Sequence, residues 1–504
     1  MADAKITLPR IFSDGMVLQR DMPVKVWGTS DPNAQIAVKF GAQSVSAKAD
    51  ANGNWKLALP ELKADKNPQT LSVSENGKVD AEVKNVLVGE VWILGGQSNM
   101  EWPLGKSKGG AEAVAAANIP TLRYFTQPRA TIADEPAKDV PAESKWLECT
   151  PQNAPTFSGV GFYFARGLIK DMDVPVGLVY TALGATEMSC WIPETVSRRL
   201  PWMNNYTHEF LQEYKTYTPE KYKAALAAFQ KKKADYAAAV AKAKAEGKKA
   251  PAPLAWSETI APNPLSPRHI FNSPTLLYNG KIAPIAGFAA RGVLWYQGES
   301  DAGGEKLTHF QENFGLLTES WRSAWGQPKM PFVYVQLASY TAPTWPEARW
   351  QQTCCLKNVS NVSMANIIDS GEKNDIHPKD KELVGSRLLD VALRNVYGKK
   401  SVWLAPMLNR VWYKPDGSAV VYIDADTRKL VWNGEPRGFE VRAGGKWLAA
   451  KPELKGTQLV FAPVGGKPVD GIRYLWKDWA LPDVCLYNDK GLPAVSFIDE
   501  RSRW

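Results

Sequence analysis

The segment Val86–Trp102 reads VLVGEVWILGGQSNMEW, and it decides how the rest of the chain is interpreted. Residues 86–94 are mostly apolar and rich in β-branched side chains, which is typical of a strand buried on both faces of a parallel sheet. Gly95-Gly96 then allow a sharp turn, and Ser98 follows directly. Because ligands of open α/β sheets bind beyond the carboxyl ends of the strands, Ser98 is a candidate nucleophile. The alternative is an ordinary turn or helix-capping serine.

The composition is that of an ordinary globular protein. The 504 residues are 44% hydrophobic and 22% charged, which is enough sequence for two to four domains. The net charge of +9 is spread along the chain except for a dense basic stretch at 221–249, and because no nucleic-acid motif accompanies it we expect no nucleic-acid partner. No apolar run reaches membrane-spanning length, and the N-terminus has no signal-peptide core. The five cysteines lack zinc spacing, which favours buried thiols with at most one or two disulfides.

The order of the elements predicts three domains. Short alternating strands separated by turn signals indicate an antiparallel β domain over residues 1–88. From residue 89 to 398, apolar runs that end in glycine or polar residues alternate with helical segments, which predicts an α/β fold with a parallel sheet flanked by helices. Short strands return over residues 399–504 and indicate a second accessory antiparallel β domain.

An inserted segment interrupts the α/β pattern at about 198–264. Thr218-Pro219 is a good helix start, and the following Lys- and Ala-rich sequence predicts a long amphipathic helix that ends near Gly247. Its lysines are interpreted as a solvated face, and the alternatives are a lid over the site or a contact with an acidic partner.

A serine nucleophile needs a base, and the chain has only four histidines to supply it. His208 and His269 lie in or beside the insertion, and His309 opens a predicted helix. His377 alone follows a predicted sheet strand, within the polar cluster 369–378. Asp375, two residues earlier, could orient its imidazole.

Two other interpretations of the cluster around His377 are open. One is a plain surface loop. The other, a metal site, has weaker support because no second histidine accompanies the carboxylates. The candidate metal ligands would be Asp369, Glu372, Asp375 and His377.

Acyl transfer also needs donors that stabilise a developing oxyanion. Gly184 and Gln297 both lie just past predicted strand ends, as Ser98 does, so the Ser98 and Gly184 amides and the Gln297 side chain could converge. Glu299 either orients its neighbours or has a purely structural role. The tryptophans could form a sugar platform, with core packing as the alternative. Further supporting or substrate-binding candidates are therefore Gln97, Asn99, Trp102, Trp191 and Trp295.

Several ordered motifs together resemble the sialate O-acetylesterase family, which belongs to the SGNH hydrolase class of carbohydrate esterases. The resemblance covers nearly the whole chain, including the opening LPRIFSDGMVLQR (8–20) and the ending LPDVCLYNDKGLPAVSF (481–497). The motifs that carry it are GGQSNMEW (95–102), PVGLVYTALGATEMSCW (175–191), LLYNGKIAPI (276–285), RGVLWYQGESDAG (291–303), PFVYVQLA (331–338) and DIHPKDKELVGSRLLDVAL (375–393).

The resemblance implies that Ser98 is the nucleophile, that His377 is the base, and that Gly184 and Gln297 are oxyanion donors. It implies removal of acetyl groups from a carbohydrate through an acetyl-enzyme, without a metal or organic cofactor. The wider class usually has its acid three residues before the histidine, but that position is Asn374 here. The third member of the triad is therefore either Asp375 or absent. In the second case, backbone groups orient the pair of Ser98 and His377.

Several points stay open at this stage. The sequence does not separate a sialic acid substrate from acetylated xylan or xyloglucan fragments, and an inactive carbohydrate-binding protein is an alternative from another class. The family's frequent occurrence outside the cytoplasm predicts a periplasmic or secreted protein whose leader is absent from this chain, with a cytoplasmic location still open. The oligomeric state cannot be inferred.

Overall fold

The computed structural model describes residues 6–129, 131–254, 256–264, 266–402, 404–426 and 429–501. Its amino-terminal part is built from short strands with clear inside–outside alternation, as in Asn54–Leu59, where every second residue is buried. The strands of this part are β1 (Val17–Gln19), β2 (Val24–Thr29), β3 (Gln35–Phe40), β4 (Gln43–Lys48), β5 (Asn54–Leu59), β6 (Asp65–Glu75) and β7 (Lys78–Gly96).

The amino-terminal strands form antiparallel pairs, as the sequence predicts. β2 pairs with β5, β3 pairs with both β4 and β6, and β6 pairs with β7. β1 is the exception, because it runs parallel to β7.

The central part alternates strands and helices. Its strands are β8 (Ile119–Thr126), β9 (Lys145–Cys149), β10 (Val176–Tyr180), β11 (Gly292–Tyr296), β12 (Phe332–Val335) and β13 (Val362–Ala365). Its helices are α1 (Ser98–Glu101), α2 (Gly110–Ala115), α3 (Gly159–Met172), α4 (Glu194–Ser197), α5 (Pro201–Lys215), α6 (Pro219–Ala245), α7 (Gly304–Thr308), α8 (Phe310–Trp325), α9 (Trp345–Asn358) and α10 (Lys381–Asn395).

The central sheet has the strand order β13-β12-β11-β7-β10-β8-β9. All neighbours are parallel except β8 and β9 at one edge. The structure therefore confirms the predicted α/β fold with a parallel sheet flanked by helices and with additional antiparallel sheets. In this order β7 lies between β11 and β10, so residues beyond its carboxyl end have a neighbouring strand end on each side.

β7 is longer than the apolar run predicts. It has 19 residues, and its first half pairs with β6 in the amino-terminal sheet while its second half pairs with β10 and β11. The strand thus passes through the predicted domain limit between residues 88 and 89. The limits at 88/89 and 398/399 stay predictions.

Side chains of the second half of β7 alternate between two separate cores, because successive residues of a strand point to opposite faces. Val91 and Ile93 belong to one apolar cluster, and Trp92 and Leu94 belong to the other. The sheet is therefore covered on both faces, which explains why its strands read as continuous apolar runs.

The carboxy-terminal part returns to antiparallel pairing, with two sheets of four strands each and a two-stranded pair. Its strands are β14 (Met407–Tyr413), β15 (Ala419–Asp424), β16 (Leu430–Trp432), β17 (Phe439–Ala443), β18 (Lys446–Ala449), β19 (Glu453–Lys455), β20 (Gln458–Phe461), β21 (Val469–Tyr474), β22 (Leu486–Asn488) and β23 (Phe497–Glu500).

The inserted segment contains α5 and α6, of which only α6 was predicted. Met203 and Phe210 of α5 are buried, and Tyr206 donates a hydrogen bond of 2.7 Å to Glu187 in the central part. By contrast, no residue of the 27-residue α6 is buried, so its lysines form a solvated face in this structure. Across the described residues, no helix has the length and apolar character needed to cross a membrane.

Candidate active site

Ser98 lies just beyond the carboxyl end of the central strand β7, where it is the first residue of α1. Gly96 has φ of +122°, and a Cβ on it would lie 2.1 Å from the Tyr296 carbonyl oxygen, so only glycine fits between β7 and β11. The Gln97 N–H then donates to that same carbonyl at 2.9 Å, and α1 begins at Ser98. The tight turn therefore fixes the Ser98 hydroxyl at the rim of the sheet.

His377 lies in the loop between β13 and α10, and its ring reaches Ser98 across the sheet rim. His377 Nε2 is 2.9 Å from Ser98 Oγ, although the two residues are 279 positions apart in the chain. The imidazole is partly covered, with 27% of its side chain exposed, and it stacks on Trp102 with ring centroids 5.2 Å apart. The structure thus brings the predicted nucleophile and base within hydrogen-bond distance.

Asp375 contacts the other side of the imidazole. Its Oδ1 lies 3.3 Å from His377 Nδ1 and also accepts the His377 backbone N–H at 3.0 Å. The Asp375 side chain is 38% exposed, so solvent screens this pair more than it would a buried carboxylate. Asn374, the position that carries the acid in the wider class, is exposed. The geometry therefore favours Asp375 as the third member over a pair oriented by backbone groups alone.

The surroundings of His377 keep its imidazole neutral. Burial lowers the pKa of His377 below its usual 6.5, and the nearby charge of Lys381 lowers that pKa further, while Asp375 opposes both effects. A histidine with a lowered pKa is unprotonated at neutral pH, which is the form that can take a proton from a serine hydroxyl.

Gly184 lies beside Ser98, but its predicted donor group has a partner within the chain. A Cβ on Gly184 would lie 3.2 Å from Ser98 Cβ, which shows how closely the backbone approaches the serine. The Gly184 N–H donates to Glu101 Oε2 at 2.7 Å, and Arg129 Nη2 donates to the same carboxylate oxygen at 3.2 Å. The Glu101 carboxylate therefore occupies the place where an oxyanion would meet the Gly184 amide.

Gln297 does not present its amide N–H groups to Ser98 in this structure. Its Nε2 donates to the Thr186 carbonyl at 3.2 Å and to the Asp301 carboxylate, while its Oε1 is buried without a partner among the described residues. Asp301 is itself buried, and burial raises its pKa to about 7. The third predicted oxyanion donor, the Ser98 N–H, is the first of α1, and the first N–H groups of a helix have no acceptor within that helix.

The three tryptophans of the predicted sugar platform have different positions. Trp191 and Trp295 are buried in the core, where their rings meet edge to face at 6.3 Å. They cannot form a platform, because no ring face is accessible to a sugar, and the alternative interpretation of core packing is the right one for both. Trp102 is half-buried and covers one face of His377.

The remaining predicted supporting residues connect the loops of the rim. Gln97 accepts the Ser300 N–H at 3.2 Å, which links the end of β7 to the loop after β11. Asn99 donates to Glu299 Oε1 at 2.6 Å and to the Ile376 carbonyl at 3.1 Å, next to His377. Burial raises the pKa of Glu299. These contacts favour an orienting role for Glu299 over a purely structural one.

Sequence reasoning missed four side chains around the site: Glu101, Arg129, Asp301 and Lys381. Lys381 is the first residue of α10, and its complete burial could have been inferred because it shares a face of that helix with Val384 and Leu388. The contact between Glu101 and Gly184 has no signal in the sequence.

The acidic residues near His377 do not converge on a metal site. Asp369 is paired with Arg387, with 2.6 Å between Oδ2 and Nη2, and Glu372 is paired with Lys379 at 3.7 Å. Among the described residues, no group of three or more His, Cys, Asp or Glu side chains is placed to hold a metal ion. All five cysteines lie in the described part of the chain and are free thiols.

The known proteins to which this chain is similar are carbohydrate esterases. The model of the family described as carbohydrate esterase, sialic acid-specific acetylesterase, matches residues 88–256 and 269–394. The mouse sialate O-acetylesterase is 24% identical, over 97% of this chain and 93% of its own, and the human sialate O-acetylesterase is 23% identical, over 97% and 91%.

One solved structure is similar over the full length. It is a carbohydrate acetylesterase from Xanthomonas citri, 31% identical, with a TM-score of 0.79 over 99% of this chain and 100% of its own. The matched family region contains Ser98, Gly184, Gln297 and His377. The chain belongs to the sialic acid-specific acetylesterase family of carbohydrate esterases and is a carboxylic ester hydrolase.

Proposed function

We propose that this protein removes O-acetyl groups from carbohydrates, with Ser98 as the nucleophile. The observation that carries the proposal is the distance of 2.9 Å between Ser98 Oγ and His377 Nε2 at the carboxyl end of the central strand. A serine hydroxyl is a weak nucleophile until a base takes its proton, and a neutral imidazole at this distance can do so.

In the proposed reaction, Ser98 Oγ attacks the acetyl carbonyl carbon while its proton passes to His377 Nε2. Asp375 stabilises the imidazolium through its contact with Nδ1. His377 then gives the proton to the departing sugar oxygen, which leaves an acetyl group on Ser98. Water, deprotonated by the same imidazole, releases acetate and restores the serine.

The oxyanion is stabilised by the Ser98 and Gly184 N–H groups. In this structure the Glu101 carboxylate is bound to the Gly184 amide, so the substrate carbonyl oxygen takes the place of one carboxylate oxygen when the ester binds. Glu101 retains a partner in Arg129 after this exchange. Gln297 contributes no donor in the arrangement described here, because its amide N–H groups are bound to Thr186 and Asp301.

We propose an O-acetylated sialic acid as the substrate class. The support is the sialic acid-specific description of the matched family and the name of the mouse and human relatives. The Xanthomonas citri structure is titled only as a carbohydrate acetylesterase, so its title does not choose between sugars.

The test is release of acetate from a panel that contains O-acetylated sialic acids, acetylated xylo-oligosaccharides and acetylated xyloglucan fragments. Ser98→Ala is expected to lose at least about 10³-fold in kcat/KM on every active substrate. Ser300→Ala is the matched control, since Ser300 lies at the same rim and donates to the Ala185 carbonyl rather than to a base. Binding of a sugar without acetate release would instead favour an inactive carbohydrate-binding protein.

A further inference from the structure

Lys381 is a buried cation close to the candidate active site. It is the first residue of α10, which follows the loop that carries His377, and none of its surface is exposed. Its Nζ donates to Asn99 Oδ1 at 2.6 Å and lies 5.5 Å from the Trp102 ring centroid and 5.6 Å from that of Tyr296. Burying an ammonium group without a carboxylate in contact with it costs folding free energy. A functional role is therefore expected for Lys381.

The contact with Lys381 determines which way the Asn99 amide faces. An ammonium group can only donate hydrogen bonds, so the Asn99 oxygen must face Lys381 and the NH₂ group must face the other way. That NH₂ group donates to the Ile376 carbonyl at 3.1 Å and to Glu299 at 2.6 Å. Ile376 directly precedes His377, so the amide fixes the backbone that carries the imidazole.

Lys381 also acts on His377 through its charge. The titratable groups facing the imidazole are Asp375 on its own loop and Lys381 on α10. Lys381 is in turn faced by the carboxyl groups of Glu299, Asp375 and Glu372. The positive charge of Lys381 lowers the pKa of His377, and burial lowers the pKa of Lys381 itself to about 7. Lys381 is therefore charged at the acidic pH values at which His377 becomes protonated.

We propose that Lys381 is a positioning residue for the esterase reaction, acting on His377 both through the Asn99 amide and through its own positive charge. The proposal rests on the proposed function of Ser98 and His377. Lys381 hydrogen-bonds to Asn99 and lies near the Trp102 ring, which itself stacks on His377, so it acts on the imidazole through its neighbours.

Two substitutions separate the two effects. Lys381→Gln removes the charge but keeps an N–H donor for Asn99, whereas Lys381→Met removes both. In each variant the acid limb of the kcat/KM profile is expected to move to higher pH by about 0.5 to 1 unit, because a nearby positive charge no longer opposes protonation of His377. Only Lys381→Met is expected to lower kcat on the plateau as well, by about tenfold, because the Asn99 amide is then free to turn.

Two further variants are controls. Lys381→Arg keeps the charge and should keep the acid limb of the wild type. Lys379→Met removes a lysine from the loop that carries His377. The Lys379 side chain is 51% exposed and paired with Glu372, so this substitution should leave the pH profile of kcat/KM unchanged. An acid limb within about 0.2 unit of the wild type in both Lys381→Gln and Lys381→Met would overturn the charge effect, and an unchanged kcat in Lys381→Met would overturn the orienting effect.

A second readout does not depend on turnover or on a substitution at Lys381. The His377 imidazole is titrated by NMR in the Ser98→Ala protein, with Lys381 present. The expected result is a main inflection below pH 6.5 and a second, smaller shift near pH 7 as Lys381 loses its proton. A single inflection would contradict the proposal, whereas full activity of Ser98→Ala would contradict the proposed function instead.

Discussion

Replacement of Asp375 by asparagine tests how much the third group contributes to the reaction. The two atoms in contact, Asp375 Oδ1 and His377 Nδ1, are 3.3 Å apart. At this distance a full charge pair is worth about 1.3 kcal/mol in a water-like dielectric and about 5 kcal/mol at an effective dielectric of 20. Since 38% of Asp375 and 27% of His377 are exposed, we expect a value near the lower end, about 1 to 3 kcal/mol.

The expected loss in kcat for Asp375→Asn is therefore about 10- to 100-fold, because each 1.4 kcal/mol corresponds to a factor of ten. This is less than the roughly 10⁴-fold loss known for a buried triad aspartate. The acid limb of the pH profile should also move to lower pH, because Asp375 raises the pKa of His377 in the wild type. Both quantities are measured with a chromogenic acetyl ester between pH 4.5 and 8, the range that brackets histidine titration.

Glu372→Gln is the matched control for that experiment. Glu372 lies in the same loop, its side chain is 40% exposed, and its partner Lys379 is 3.7 Å away. Its substitution should change kcat by less than about twofold. If Asp375→Asn stays within about threefold of the wild type, His377 is oriented by backbone groups and the argument for Asp375 fails. A loss of 10⁴-fold would show that solvent screens the pair far less than its exposure indicates.

His377, Gly184 and Lys381 each allow a further test. Because burial and Lys381 lower the pKa of His377 from its usual 6.5, the midpoint of the acid limb of the wild-type kcat/KM profile should lie below pH 6.5. Gly184→Ala should lower kcat by about tenfold or more, since the added methyl group would lie 2.9 Å from Glu101 Oε2 and 3.2 Å from Ser98 Cβ, and melting curves should separate this from unfolding. Lys381→Met should raise the free energy of unfolding by roughly 3 kcal/mol at pH 6, as measured by urea denaturation.

The sign of the Lys381 prediction depends on the direction of its pKa shift. Burial lowers the pKa of Lys381 from 10.5 to about 7, so folding releases a proton between those two pH values. The wild type therefore gains stability as pH rises from 7 to 10.5, and the advantage of Lys381→Met should shrink over that range. A constant advantage across this range would contradict the shift. An acid limb with its midpoint above pH 6.5, or an unchanged kcat in Gly184→Ala, would contradict the other two predictions.

Local patterns in the sequence predict much of the fold. The helix Phe310–Trp325 and the strand Ala419–Asp424 coincide with segments whose apolar periodicity is typical of a helix and of a strand. The helix Trp345–Asn358 was not predicted. Its buried face includes the polar residues Arg349 and Gln352, whose hydrogen bonds to distant backbone groups cannot be inferred from a local pattern.

The candidate site is predictable to a similar degree. Ser98 and His377 follow strand ends and are close together because both strands belong to one parallel sheet. The occupation of the Gly184 amide by Glu101 depends on a contact across 83 positions, and the partners of Gln297 depend on the depth at which Asp301 is buried. These features follow from three-dimensional packing and from competition among acceptors, so the order of residues does not reveal them.

The central claim is that Ser98 carries the acetyl group during turnover, and its most direct test is the mass of the peptide that contains Ser98. The enzyme is mixed with excess O-acetylated sugar, quenched in acid during turnover and digested. One added acetyl group is expected on Ser98 and none on the same peptide of the Ser98→Ala protein, which should also release acetate at least about 10³-fold more slowly. Rapid acetate release by the wild type without acetylation of Ser98 would contradict this claim. Rapid acetate release by the Ser98→Ala protein would contradict it as well.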